Sequence, residues 1–186
     1  FYPETFEKHF TLNDLTHQGA LTGIRIEGPS ISVDERIKRL SKELDLLVNE
    51  YSILDVEQSN IFWNKTRNLE VFSNTKKNLV RIVVPISETL NLLQKLKNMD
   101  FNYFLDWGGS LIWFELNDIS IKILNEIREI TKQHSGYFTL IKVEEDMKAS
   151  ADIFTIDPIK YKISEKIKKS FDPKRILNPG KMYTGI

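Results

Sequence analysis

The residues whose types best suit chemistry lie near the end of the chain, at Asn178, Pro179, Gly180 and Lys181. Proline fixes its φ at about −65°, and glycine can take a positive φ that is closed to other residues, so this run predicts a defined turn. Such a turn lets a flat ligand approach the backbone closely. Asn178 would offer that ligand both an amide donor and a carbonyl acceptor. The alternative is an ordinary Pro-Gly turn that closes the C-terminal segment.

A second candidate is the turn of Asp106, Trp107 and Gly108, which Gly109 and Trp113 follow. Two tryptophans and an aspartate crowd a glycine turn that could lie beside a ligand. The alternative is a tight hairpin whose tryptophans pack in the core.

The charges become unequal between residues 160 and 181, where the acidic residues are Glu165 and Asp172 and the rest of the charged side chains are basic. This basic run could receive an acidic partner or a cofactor phosphate. The alternative is a solvated helix face. The basic residues are Lys160, Lys162, Lys166, Lys168, Lys169, Lys174, Arg175 and Lys181.

Other kinds of chemistry have little support in the sequence. His9, His17 and His134 are scattered without metal-ligand spacing, so no metal site is predicted. The chain has no cysteine, which excludes thiolate nucleophiles, disulfides and cysteine-held clusters within it. Since 26 basic residues balance 26 acidic ones, nucleic acid is not an expected partner. No catalytic residue is identified, and any redox chemistry must use an organic cofactor.

The elements that position these residues follow from hydrophobic periodicity. Ser32 and Glu35 form a capping-box pattern for an amphipathic helix, and Asp118 is positioned to cap a later one. Strands are predicted at 21–27, 79–84, 101–106, 111–116 and 136–143, and helices at 33–50, 56–68, from about 87, 118–134 and 158–170. Leu90 is expected to face inward on the third of these helices, and Ile159, Ile163 and Ile167 form an apolar stripe on the last.

This order mixes helices with antiparallel strands, which favours an α+β fold of the ferredoxin-like kind, with helices on one face of an antiparallel sheet. A chain of 186 residues supports one core. We expect residues 1–18 to be a linker and residues 19–186 to be the domain. Because the chain begins at Phe1 rather than Met, we expect a part upstream. No segment has the ~20 apolar residues of a membrane span and there is no leader, which predicts a cytoplasmic location.

Several segments together resemble the FAD-linked oxidase family, in particular the C-terminal part of the FAD-binding E subunits of bacterial glycolate oxidases. D-lactate dehydrogenases are related to them. The resemblance covers the chain from about Ala20 and is carried by ALTGIRIEGPSISVDERIKRLSKEL (20–44), the Phe-Trp and Arg of 62–67, DWGGSLIW (106–113), SGYFT (135–139) and FDPKRILNPGKMY (171–183).

The resemblance implies a cap domain that closes over FAD, with the cofactor held mainly by a preceding FAD-binding domain. It implies that Asn178, Pro179, Gly180 and Lys181 contact the flavin. Asp106, Trp107 and Gly108 would line the cap. Lys181 stands where the family often has Arg, and Arg175 stands where a small residue, often Gly, is usual.

The resemblance further implies a subunit of a glycolate oxidase or dehydrogenase, which transfers a hydride equivalent from the α-carbon of a small 2-hydroxy acid to the flavin. Its partners would be the other subunits of the complex, among them an iron–sulfur subunit, and the complex would place it at the periphery of the inner membrane. The isolated chain would be inactive. The alternative is a non-catalytic ferredoxin-like interaction module that holds a partner through its sheet or its basic last helix.

Overall fold

The computed structural model describes residues 1–3, 20–48, 50–73, 78–117, 120–144, 147, 151–155, 157–181, 183 and 186. Most of the linker predicted over residues 1–18, and the predicted cap Asp118, lie outside them. The described α-helices are α1 (Ser30–Leu47), α2 (Val56–Arg67), α3 (Thr89–Leu96), α4 (Ile121–Gln133) and α5 (Pro158–Phe171). The strands are β1 (Asn78–Val83), β2 (Phe101–Asp106), β3 (Leu111–Leu116) and β4 (Tyr137–Lys142).

The four strands form one antiparallel sheet in the order β2-β3-β1-β4. In the chain they alternate with helices as β1-α3-β2-β3-α4-β4. This arrangement is the split βαβ pattern of a ferredoxin-like fold, so the predicted α+β architecture is confirmed.

The first face of the sheet packs against α3 and α4 and forms the larger core. Every second residue of each strand points to this face, because side chains alternate along a strand. The buried side chains include Val80, Ile82, Ile112, Phe114 and Phe138 from the sheet, Leu92 and Leu96 from α3, and Leu124 and Ile127 from α4.

The second face carries the alternate residues of the same strands and is partly covered by α2. Phe62 of α2 is buried with Leu79, Phe104 and Tyr2, and Trp113 packs against this cluster. The rings of Tyr2 and Phe104 stack at 4.9 Å between centroids. The prediction of helices on one face therefore describes α3 and α4, while α2 adds a smaller core on the other side.

The strand predicted at 21–27 is wrong. Leu21 forms a single bridge to Tyr2, and the residues after it have no strand partner. Instead the chain crosses α2 at Gly23, where an added Cβ would lie 2.8 Å from the Phe62 ring. The alternating pattern that suggested a strand belongs to an extended segment laid over an aromatic side chain.

The helix predicted at 33–50 exists but begins and ends three residues earlier, at Ser30–Leu47. Its predicted capping box at Ser32 is wrong, because Pro29 occupies the N-cap position without a side-chain hydrogen bond. No residue of α1 is buried, and Leu47 is exposed.

The later helices follow the prediction with local shifts. Leu90 of α3 was expected to face inward but is exposed, while Leu92 is fully buried. Ser120 caps α4 by accepting a hydrogen bond from the N–H of Ile123. Within the described part of the chain, no helix has the length and apolar character needed to cross a membrane.

Candidate functional site

Helix α5 leads directly into the C-terminal tail, which we define as residues 172–181. Asp157 caps the helix by accepting hydrogen bonds from the N–H groups of Ile159 and Lys160, at 2.8 and 3.1 Å, and Pro158 occupies its first turn. These backbone hydrogen bonds lower the pKa of Asp157. The predicted helix start is confirmed.

The apolar stripe predicted on α5 is present, but it lies on the surface. Ile159, Ile163 and Ile167 recur at every fourth position and are 71%, 53% and 55% exposed, and Phe171 continues the row. Helical residues four apart lie on the same face. We call these four residues the α5 stripe. They form a continuous exposed apolar ridge that ends at the tail.

The carboxylate of Asp172 organises the start of the tail. Its Oδ2 lies 2.8 Å from Lys168 Nζ and accepts a hydrogen bond of 2.9 Å from the N–H of Leu177, while Oδ1 accepts one of 3.1 Å from Ile176. Lys168 also donates to the carbonyl of Leu177. The ammonium of Lys168, followed by the backbone N–H of Leu177, lowers the pKa of Asp172 to about 2.

Three residues of the tail have positive φ: Arg175 at 52°, Asn178 at 47° and Gly180 at 68°. Glycine tolerates this region freely and asparagine relatively well, but arginine does not. This explains why a small residue or glycine would suit position 175. The Gly180 N–H donates to the Ile186 carbonyl at 2.7 Å, which closes the turn.

The tail turn faces solvent. Asn178, Pro179, Gly180 and Lys181 are all exposed, and a Cβ added at Gly180 would meet no atom of the described residues within 4 Å. The Asn178 carbonyl accepts a hydrogen bond from the Lys181 N–H, at 3.3 Å. The structure therefore brings the four predicted ligand contacts together on one open turn. Their contact with a flavin remains a prediction.

The predicted hairpin turn at residues 106–109 is confirmed between β2 and β3. Trp107, Gly108 and Gly109 all have positive φ, at 51°, 65° and 103°. The Asp106 carboxylate accepts from the Trp107 N–H at 2.8 Å, and the buried Thr89 hydroxyl donates to the Gly109 carbonyl at 2.7 Å. The first bond ties the turn to the end of β2, and the second ties it to the start of α3.

The two tryptophans of this region have different surroundings. Trp107 is 59% exposed and Trp113 is partly buried on the second face of the sheet, so core packing does not explain Trp107. Trp107 instead contacts Arg81, a residue that no sequence motif indicated. The available signal was a lone charged side chain within the apolar strand LVRIVV.

The two predicted site regions are not directly bonded. In the ranges that the structure describes, no hydrogen bond or ion pair joins residues 177–181 to residues 106–109. If one ligand used both regions, it would span the surface between them.

The basic run divides into structural and solvent-facing members. Lys168 is bound within the tail, and Lys160 Nζ lies 4.8 Å from the centroid of the Tyr137 ring. The remaining lysines are exposed. Outside the run, His134 Nδ1 lies 2.7 Å from Glu88 Oε2, and this hydrogen bond lowers the pKa of Glu88. Across the described residues, no group of three or more His, Cys, Asp or Glu side chains could hold a metal ion.

Comparison with known families gives a match in this part of the chain. Residues 154–182 match the family described as FAD linked oxidases, C-terminal domain. No curated protein and no solved structure matches the chain significantly. The matched segment runs from the β-bridge at Phe154 through α5 to the turn of Asn178 and Gly180. The match gives this segment, and not the chain as a whole, a likeness to the FAD-linked oxidases.

Proposed function

We propose that this chain is the C-terminal cap domain of an FAD-dependent 2-hydroxyacid oxidase or dehydrogenase subunit, and that it helps to enclose the flavin and the substrate. The proposal rests on one observation. The segment that matches the FAD-linked oxidases is also the segment in which an apolar ridge and a positive-φ turn are both exposed.

The tail fits the edge of a flat ring. Pro179 and the positive φ of Asn178 and Gly180 give a turn whose backbone is open, and no side chain that the structure describes occupies the space over Gly180. The side-chain amide of Asn178 presents a donor and an acceptor to such a ring. When bound, FAD supplies the two-electron redox chemistry that no side chain of this chain can provide. The roles of Asn178, Pro179, Gly180 and Lys181 are to contact and orient the ring.

The α5 stripe provides a surface for the FAD-binding domain. Exposed apolar surface costs about 25 cal/mol for each Å² left in water, so a row of three isoleucines and a phenylalanine favours burial against a partner. The stripe leads into the tail, so a domain packed on it would bring its bound flavin close to Asn178. Ile176 and Leu177, which are also exposed, extend the apolar surface to the turn.

The turn of Asp106, Trp107 and Gly108 lines the cap on the substrate side in this proposal. Its support is the exposed indole of Trp107, a residue whose backbone has a positive φ. The Trp107 N–H donates to the Asp106 carboxylate, and the Thr89 hydroxyl donates to the Gly109 carbonyl of the same turn. Residues held at positive φ concentrate at functional sites.

The finer assignment is to a glycolate oxidase subunit, and it is supported by the order of DWGG and NPGK in the sequence. In that setting a sister subunit or this one oxidises a small 2-hydroxy acid, and an iron–sulfur subunit carries the electrons onward. The complex would lie at the cytoplasmic face of the inner membrane. Alone, without the FAD-binding domain, the chain is expected to be inactive.

The alternative function is a non-catalytic interaction module. The exposed lysines beside the α5 stripe also suit a partner with an acidic rim around an apolar groove. Flavin separates the two functions, because an interaction module has no need to retain it.

The test is to express the chain together with its upstream coding region, purify the product and measure flavin absorbance after gel filtration. The proposal predicts about one FAD for each full-length chain, and none for the 186-residue chain alone. A correctly folded full-length product that never retains flavin would contradict it and favour the interaction module.

A further inference from the structure

A second cluster of functional groups surrounds the guanidinium of Arg81. Arg81 lies in β1, directly opposite Trp113 of β3 and Thr139 of β4. Directly opposite residues of antiparallel strands project from the same face, so these side chains form a row across the second face of the sheet. Trp107 reaches the same guanidinium from the turn after β2.

Two indole rings hold the guanidinium. Arg81 Cζ lies 5.2 Å from the centroid of the Trp107 ring and 5.9 Å from that of Trp113. Both distances are within the ~6 Å over which cation–π attraction is significant. A cation–π contact accepts none of the hydrogen bonds that the guanidinium N–H groups can donate.

Those donors are available. Among the residues that the structure describes, the Arg81 side chain has no hydrogen bond and no ion pair. Nor do its nitrogens belong to the buried polar atoms that lack a partner, so they remain accessible to solvent. A planar cation in contact with two rings still presents its N–H groups at its edge, and these match an anion that accepts two parallel N–H bonds, which is the geometry of a carboxylate.

We propose that Arg81, held by Trp107 and Trp113, binds the carboxylate of a small organic acid. Thr139 lies opposite Arg81 on the neighbouring strand and offers a hydroxyl to the substituent next to the carboxylate. One row further along the same face, Lys160 lies over the ring of Tyr137 and adds a second positive charge near the site.

A free acid fits this site better than an acidic side chain on a folded partner. Arg81 and Trp113 are half-buried, while Trp107 is exposed beside them. The carboxylate must therefore enter past the Trp107 ring. The use of the site for a 2-hydroxy acid substrate rests on the proposed function, whereas carboxylate binding by Arg81 does not.

The test titrates acetate and glycolate into the 186-residue chain at constant ionic strength and follows tryptophan fluorescence, since a ligand at Arg81 changes the surroundings of two indoles. We expect a saturable change with a millimolar Kd. Arg81→Lys keeps the charge but loses the planar fork, and it should weaken binding at least fivefold. Arg81→Gln should abolish the saturable change, and Arg39→Gln on the exposed side of α1 should leave it unaltered.

Three results would overturn the assignment. The first is a wild-type fluorescence response that does not saturate below about 100 mM acetate, or one that potassium chloride reproduces. The second is an equal response from wild type and Arg81→Lys. The third is binding of a polyglutamate peptide at least 100-fold tighter than that of acetate. Far-UV circular dichroism checks that the variants fold. If Arg81→Gln does not fold, the comparison of wild type with Arg81→Lys still tests the proposal. If the full-length protein retains no flavin but the chain still binds acetate, the proposed function is contradicted and the carboxylate site is not.

Discussion

Lys168 Nζ lies 2.8 Å from Asp172 Oδ2, one helical turn further along, and both side chains are largely buried, at 14% and 7% exposed. The pair joins the last turn of α5 to the tail, because Asp172 also accepts hydrogen bonds from the backbone N–H groups of Ile176 and Leu177. The position of the exposed turn that follows therefore depends on one carboxylate.

Asp172→Asn should change how the stability of the chain depends on pH. The pKa of Asp172 in the folded state is about 2, below its ordinary value of 3.8. A lowered pKa stabilises the folded state above pH 3.8, and that contribution is lost as the pH falls from 3.8 towards 2. The variant should be less stable than wild type at about pH 6, and the difference should narrow in acid.

Urea unfolding of both proteins between about pH 2.5 and about pH 6 measures this difference. Asp34→Asn, a change on the exposed surface of α1, is the matched control and should show no comparable trend. A constant gap between wild type and Asp172→Asn across the range would contradict the role given to the carboxylate.

Arg175→Gly should stabilise the chain. Arginine at φ 52° carries a steric cost of roughly 1–2 kcal/mol, which glycine removes. Part of this gain is offset because glycine is more flexible than arginine in the unfolded chain. The substitution also removes the ion pair between Arg175 and Glu165, whose charged atoms lie 3.8 Å apart, but both side chains are half-exposed and such a pair contributes little. We expect a net gain of about 0.5–1 kcal/mol, seen as a Tm rise of roughly 1–4 °C. A fall in Tm would mean that the arginine side chain stabilises the tail.

Gly136→Ala should destabilise the domain at the start of β4. An added Cβ would clash with Val84 Cγ1 and lie 2.8 Å from Thr131 Cγ2, so α4 and the sheet would have to separate. Overpacking of this kind costs about 1–3 kcal/mol. Val84→Ala removes one of the two clashes, so the double variant should lose less stability than the sum of the single variants. Additive losses in urea unfolding would contradict the clash.

Ile163→Asp tests the α5 stripe as a domain interface. Because Ile163 is exposed, the substitution should change the free energy of unfolding of the 186-residue chain by less than about 0.5 kcal/mol. In the full-length protein it should place a carboxylate in an apolar contact, loosen the two domains and increase proteolysis between them. Lys162→Asp, next to the stripe, is the control. Equal proteolysis of the two variants would remove the stripe from the interface.

The sheet could be predicted from the sequence because its signals are local. The β-branched apolar run within Asn78–Val83 and the glycines after Asp106 indicate a strand and a hairpin without knowledge of partners. The apolar stripe of α5 was visible for the same reason. Periodicity shows that such a face exists but not what covers it, and Ile163 and Ile167 are exposed although their spacing is that of core residues.

The parts that could not be predicted depend on distant contacts or on backbone conformation. Arg81 meets Trp107 because the strand order places β1 beside β3, and nothing in their separation along the chain indicates this. The positive φ of Arg175 follows from the bonds that Asp172 makes to the tail, and arginine by itself favours another conformation.

The most direct test of the central claim is the affinity of the full-length protein for FAD when Asn178 is changed. Asn178→Gly removes the side-chain amide and suits the positive φ, so it alters the proposed contact without straining the turn. Arg175→Gly changes another positive-φ position of the same tail and is the control. With FAD titrated into the flavin-free protein, we expect the Kd to rise about tenfold or more for Asn178→Gly, which corresponds to at least ~1.4 kcal/mol, and to stay unchanged for the control. Equal affinities of wild type and Asn178→Gly would contradict the claim that this turn contacts the flavin.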